Sequence, residues 1–375
     1  MNITYYLGAG ASANALPVVA TMNDRMQFFI NGLDLIDKRE ILNIELNIRE
    51  RSPVQKKFQE LLNQTRKHAS IDTFAKKLHI KKQTRDLRLL KTLLSSYLIY
   101  EQLNEADMKE LQHNNVYQIS KFEAPTTSRQ FEIERFKSKI ETRIDYRYDS
   151  FFATLLSADN KRLGNNINII SWNYDSQIEL AYADFVNSSI DVIREDLDMF
   201  PNSRSELTES EDDPKIIKLN GTAGLFYGKD KKESISDHSS QSGFDIELLK
   251  FMLGHAVDLL NPAIPRLPFI SYPFVNFAWE KNETGYQAKG VEEAKKIIDK
   301  TNILVVIGYS FPTFNRDVDK EILNDNELDK IYIQAPAKDM NAIKQRILGL
   351  LGNSVAENMF FPHDEIEQFL IPYEM

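Results

Sequence analysis

The chain has 375 residues, with 46 Lys and Arg against 55 Asp and Glu, a formal charge of −9 at neutral pH, and no cysteine. The missing thiols exclude disulfides, thiolate zinc sites, iron–sulfur clusters and a cysteine nucleophile. The acidic balance argues against a general nucleic-acid coat, which needs clustered Lys and Arg to neutralise phosphates. A hydrophobic share of 42% beside 27% charged residues is that of an ordinary globular protein, long enough to bury a core unaided.

In chain order, Ile3–Leu7 is a short, apolar, β-prone segment without a basic leader, which reads as cytoplasmic rather than targeted. Gly8-Ala9-Gly10-Ala11-Ser12-Ala13 follows at once, and a helix is expected from about Pro17 to Ile30. Residues 34–159 read as helical. Leu87, Leu90, Leu94, Tyr97 and Leu98 fall on one helical stripe, as do Ile133, Phe136, Ile140 and Ile144. Ser70-Ile71-Asp72-Thr73 has the form of a helix start, with Ser70 as N-cap. Strands are expected at 167–172, 215–219, Ile303–Ile307 and 331–333, with helices at about 174–185, 291–300 and 337–350. The polar stretches 202–213 and 228–243 read as surface loops, and the aromatic run 269–279 reads as core, or else as a pocket lid or partner surface. The longest charge-free apolar stretch, 303–314, is too short to span a membrane. Strands alternating with helices imply an α/β fold, a Rossmann-like doubly wound parallel sheet. Residues 1–33 and 160–375 are its expected extent, with 34–159 as an inserted helical module.

Four segments have the residue types of a nucleotide site. The glycine run fits G-x-G-x-x-[GA] between a strand and a helix. There Gly8 permits a tight turn, Gly10 lets backbone amides approach a pyrophosphate, and the helix N-terminus supplies partial positive charge. The ordinary dinucleotide fold places an acid about 20 residues on, and the nearest here, Asp24, falls in a predicted helix. Ser171-Trp172-Asn173-Tyr174-Asp175 leaves the C-terminal end of a strand, where such sheets bind ligands. Equally, it reads as a turn capping the next helix. Lys218-Leu219-Asn220-Gly221 and Gly308-Tyr309-Ser310-Phe311 repeat the strand-then-turn pattern, and each alone reads also as an ordinary turn.

Taken in this order, G-A-G-A-S, W-N-Y-D, K-L-N-G and G-Y-S-F-P resemble the sirtuin superfamily. The nearest resemblance is to bacterial sirtuin-like NAD hydrolases of anti-phage defence, over residues 1–22 and about 166–340. The resemblance implies that Gly8, Ala9, Gly10 and Ser12 hold the NAD pyrophosphate and that Gly308 and Ser310 meet the adenosine half. It implies that Asn173 and Asp175 flank the nicotinamide and its ribose. It further implies a partner, of the ATPase, Argonaute or nucleotide-sensing kind, that activates the enzyme within an oligomer or hetero-complex, with no direct nucleic acid and no membrane. Two departures stand out. Without cysteine the four-Cys structural zinc of the deacetylases is absent, so no metal is expected and protein deacylation recedes. Asn220 stands where the family has its histidine base, and an amide cannot take a proton. Glycosidic cleavage remains open, because the pyridinium is already a good leaving group and the site has mainly to bind, strain and position. The expected activity is therefore NAD hydrolysis to nicotinamide and ADP-ribose. The alternatives are a non-catalytic NAD or ADP-ribose module that regulates a partner, and an oxidoreductase. His238 and His255 are the available replacements for the missing base, each also readable as a surface or packing histidine.

Overall fold

The structure is a computed structural model. It describes residues 1–37, 52–104, 106–107, 143–159, 161–202, 215–228, 235–237, 244–262, 271–280, 285–324, 328–351 and 356–375. The chain divides into two compact units, one of residues 1–13, 145–237 and 274–375, the other of 14–144 and 238–273.

The first unit is α/β. Its seven-stranded sheet runs in the order β10-β9-β8-β1-β2-β4-β3, and every neighbouring pair is parallel. The strands are β1 (Ile3–Leu7), β2 (Ile167–Ser171), β3 (Met199–Phe200), β4 (Ile216–Lys218), β8 (Ile303–Ile307), β9 (Lys330–Gln334) and β10 (Phe360–His363). The central strands β1 and β8 are buried at all five positions. Covered on both faces, they read as unbroken apolar runs rather than as alternation. β1 sits in the middle, with Ile3 opposite Ile167 of β2 and Ile303 of β8. The chain therefore builds one half of the sheet outward from β1, returns, and builds the other. This reversal places a crevice at the C-terminal ends of β1 and β8. A small antiparallel pair, β5 (Gly221–Gly228) with β6 (Ile235–Asp237), adjoins β4 in sequence. β7 (Ser271–Val275) carries the chain back into this unit at Phe274.

The second unit is helical: α1 (Val19–Asp37), α2 (Pro53–Thr65), α3 (Ile71–Ile80), α4 (Thr84–Glu101) and α8 (Ile246–Leu260). The sheet unit holds α5 (Tyr146–Leu155), α6 (Gln177–Ala183), α7 (Ile190–Asp196), α9 (Gly285–Ile298), α10 (Arg316–Leu323) and α11 (Ala337–Leu351). Ser70 caps α3 as expected, accepting from the Thr73 amide at 3.2 Å. The predicted stripe on α4 is buried, but so are Leu89, Leu93 and Ile99. α4 is packed by α2, α3 and α8, so it is apolar nearly all round rather than on one face. Arg25 and Glu101 form a buried two-pronged ion pair here, with Nε–Oε1 at 3.1 Å and Nη2–Oε2 at 2.9 Å.

The unit boundary differs from the expected 34–159. α1 packs on α2 and α4, and α8 packs on α4, which extends the helical unit back to Asn14 and adds 238–273. α5 goes the other way. Its Phe152 ring meets Tyr182 of α6 at 5.6 Å, which places it with the sheet. In the described part of the aromatic run, 271–279, Phe274 and Phe277 are core, and part of the expected 228–243 loop is β6. Ile133, Phe136, Ile140, His238 and most of 202–213 lie outside the described residues.

Candidate nucleotide site at the strand ends

The turn after β1 and the turn after β8 meet backbone to backbone. The Gly8 amide donates to the Ile307 carbonyl at 3.1 Å, and the Gly10 amide to the Gly308 carbonyl at 2.9 Å. The glycines are there for this approach. A Cβ on Gly10 would lie 2.6 Å from the Gly308 Cα, and one on Gly308 would lie 2.4 Å from the Ala11 nitrogen. Gly308 also has φ +60°, a conformation that costs an L-residue about 1 kcal/mol. This revises the expected use of the motif. The amides of Gly8, Gly10 and Ala11 are bonded within the protein, so the small residues here admit a second turn, and these three amides are already engaged. The element that follows is a single 3₁₀ turn, Ala9–Ser12, and the long helix starts only at Val19. Ala9 is exposed at the rim, while Ser12 is buried.

Asn173 joins the turn after β2 to this seam. Its Nδ2 donates to the Gly8 carbonyl at 3.0 Å and to Ser12 Oγ at 3.3 Å, and its own amide is held by Ser171 Oγ. Among the described residues those are its partners, and none of them meets Oδ1. Asp175 is buried, and its Oδ1 accepts from the Gln177 amide at 3.1 Å, opening α6. Burial pushes its carboxyl above the ordinary range, against the pull of nearby Lys218 and a hydrogen bond with Ser12.

Asn220 is carried to the same end by β4, which pairs Lys218 with Ser171 of β2. Its Nδ2 lies 3.3 Å from Tyr174 Oη and 3.5 Å from the Trp172 carbonyl. Its backbone carbonyl accepts from the Asn276 amide at 2.9 Å. Asn220 Oδ1 is buried without a partner. A buried acceptor left unpaired costs on the order of 1–3 kcal/mol, and this one lies at the C-terminal strand ends.

Beneath these amides lies a buried charge cluster. Lys218 Nζ donates to the Asp175 carbonyl and lies 3.5 Å from Glu179 Oε2. Glu179 Oε1 accepts from Arg194 Nε at 3.1 Å. Burial works to raise the Glu179 pKa, but Lys218 and Arg194 together hold it below the usual range. Lys218 thus ties the Asp175 turn to β4, a role its place in K-L-N-G did not reveal.

Sequence reasoning missed two further groups. Arg147 of α5 is buried, paired with Asp145 at 2.6 Å, and its Nη2 donates to the Gly10 carbonyl at 2.9 Å. Asp319 of α10 collects Tyr6 Oη at 2.7 Å and Trp172 Nε1 at 3.1 Å on Oδ1, and Tyr309 Oη at 2.8 Å on Oδ2. Burial raises the Asp319 pKa to about 7 in spite of these donors. The network clamps β1, the turn after β2 and the turn after β8. One sequence signal existed: an acid on the apolar face of α10 with Val318, Ile322 and Leu323.

Gly8, Gly10, Ser12, Asn173 and Gly308 are thus joined directly, with Asp175 linked through Ser12 and Asn220 through the Trp172 carbonyl. Ser310 stands apart. It is exposed, and its carbonyl is held by Arg346 of α11. His255, weighed as a substitute base, lies in the other unit on α8. The chain matches no protein-family model and no curated protein.

Proposed function

We propose that the protein is an NAD hydrolase that cleaves NAD to nicotinamide and ADP-ribose. The observation that carries this reading is the pair of unpartnered amide oxygens, Asn173 Oδ1 and Asn220 Oδ1, at the C-terminal ends of adjacent parallel strands beside a glycine seam. In this reading Asn220 Oδ1 receives a ribose hydroxyl. Asn173 Oδ1 orients the attacking water, its other end fixed by Gly8 and Ser12. Water adds at the anomeric carbon as the bond to the pyridinium nitrogen breaks. Nicotinamide leaves neutral, and one proton is released with ADP-ribose. The leaving group is cationic in the ground state, so the enzyme chiefly stabilises an oxocarbenium-like state by position and electrostatics. Asp175 supplies negative charge nearby, and Lys218 and Ser12 hold it in place.

Uncontrolled NAD loss would be lethal, so the activity is proposed to be latent, as in an abortive-infection effector of anti-phage defence. A separate sensor of the ATPase, Argonaute or nucleotide-sensing kind would switch it on in a complex. Among the described residues no helix is long and apolar enough to cross a membrane.

One observation favours a second reading. Asn220 is not a base, and the Gly8, Gly10 and Ala11 amides are engaged internally, which suits a module that binds NAD or ADP-ribose without turnover. The test is nicotinamide release from NAD, with and without the product of the neighbouring gene. Release that falls at least 100-fold in Asn173→Ala supports hydrolysis. Saturable NAD binding with no release under either condition refutes it in favour of the binding module.

A further inference from the structure

Charge is distributed unevenly along this acidic chain. Between residues 66 and 91 there are nine Lys and Arg against two Asp, a local charge of +7 in a protein of −9. The fold gathers five of them at one corner, where α3 ends, residues 81–83 turn, and α4 begins; Arg66 instead lies 3.5 Å from Asp24, and Lys91 is buried on α4. Lys77, Lys81, Lys82, Arg85 and Arg88 are all exposed there. The two acids do not cancel them: Asp72 lies in the first turn of α3, at the helix's far end, and Asp86 is already paired with Lys57 at 3.0 Å.

The corner is also rigid where it needs to be. Arg85 donates from Nε and Nη2 to the Leu259 and Leu260 carbonyls at the end of α8, and the Arg88 guanidinium lies 4.5 Å from the Tyr272 ring centre. Among the described residues Lys81 and Lys82 make no side-chain bond, and both are exposed. Lys82 has φ +55°, an uncommon state for a residue with a Cβ, and it turns the chain so that both lysines stand at the tip. The Gln83 side chain does not cap α4, so the partial positive charge of that helix end adds to the same field.

We propose that this corner binds the phosphate backbone of a nucleic acid. A protein partner would be expected to meet an apolar, charge-depleted centre. Here Ile80 is the large apolar side chain exposed among the cations, whereas nucleic-acid surfaces are polar and dense in cations. Contacts are to phosphates, so binding is strongly salt-dependent and weakly sequence-dependent. The proposal concerns the helical unit and does not rest on NAD chemistry at the strand ends. It replaces the expectation, drawn from net charge, that nucleic acid belongs only to a partner.

The test uses full-length protein and a fluorescein-labelled 20-nucleotide DNA, single-stranded and duplex, followed by anisotropy between 50 and 200 mM KCl. Four to five phosphate contacts predict a log–log salt slope of about −3 for single strands and about −4 for duplex. Lys77→Gln/Lys81→Gln/Lys82→Gln should weaken binding at least tenfold at 50 mM and reduce the slope by about 2. The corresponding triple Arg variant should keep binding, and Lys320→Gln/Lys338→Gln on the other unit should leave it unchanged. Because all three lysines are exposed, Tm should hold within about 2 °C. Absence of binding at 50 mM, or an unchanged triple Gln variant, overturns the proposal. Displacement by polyglutamate of equal charge as efficiently as by unlabelled DNA also overturns it, and assigns the corner to an acidic protein.

Discussion

The two units bury polar groups in opposite ways. In the sheet unit they converge: Asn173, Asp175, Lys218, Asn220 and Asp319 lie at or under the C-terminal strand ends, joined by short bonds. In the helical unit they are dispersed. The Arg25–Glu101 pair, the Tyr97 hydroxyl, the Ser95 and Ser96 hydroxyls and His255 are spread over three helices, and several atoms have no partner. Polar burial in the first unit builds a site. In the second it accompanies a scaffold whose distinctive chemistry is on its surface.

The most direct test of that contrast is the charge cluster. Lys218→Met should lower stability by about 3 kcal/mol, because Glu179 keeps only Arg194 and the Asp175 turn loses its tie to β4. Urea denaturation would check it, and a loss below 1 kcal/mol would mean that the cluster is not a connected unit.

Titration should then separate the units by the sign of their pH dependence. The Asp319 pKa rises from an ordinary 3.8 to about 7 on folding. The folded state therefore binds the extra proton, and stability declines as pH rises from about 4 to 7, by up to about 4 kcal/mol. His255 moves the other way. Burial lowers its pKa to about 4, so stability is lost as pH falls from about 6.5 to 4, by up to about 3 kcal/mol. Asp72, raised to about 6 by burial, opposes His255 within the helical unit. The His255 contribution is therefore read as wild type minus His255→Asn, and that of Asp319 as wild type minus Asp319→Asn. Slopes of the same sign in the two difference curves would erase the contrast.

Glycine substitution gives the smaller effects. Gly10→Ala forces a Cβ onto the Gly308 backbone and should cost about 1–3 kcal/mol, and under the proposed function it should also weaken NAD binding. Gly254 lies inside α8 with nothing within 4 Å of its would-be Cβ. Gly254→Ala should stabilise the helical unit by a little under 1 kcal/mol. Thermal unfolding of both variants reads the difference, and equal effects would show that the seam tolerates change as a scaffold helix does.

Much of this arrangement was legible in advance. The apolar runs at Ile3–Leu7 and Ile303–Ile307 announced buried parallel strands, because a strand covered on both faces leaves no alternation to misread. Asn173 and Asn220 were placed at strand ends for the same local reason. What the glycines do was not legible. A G-x-G run serves a pyrophosphate or another backbone equally well, and only the position of Gly308, 298 residues from Gly10 in sequence, reveals the backbone contact.

The sequence by itself determined the α/β class, the strand ends that carry the candidate residues, and the cysteine-free, acidic composition. Tertiary structure alone decided the rest. It drew α8 to α4 across about 150 residues, set Asp319 under Tyr6 and Trp172, and left Asn220 Oδ1 unpaired. It also brought the Arg85 guanidinium onto the Leu259 and Leu260 carbonyls of α8. The physical reason is common to all four. Periodicity and composition report what a residue's own segment needs, whereas partners, burial and local field depend on which distant segments fold against it.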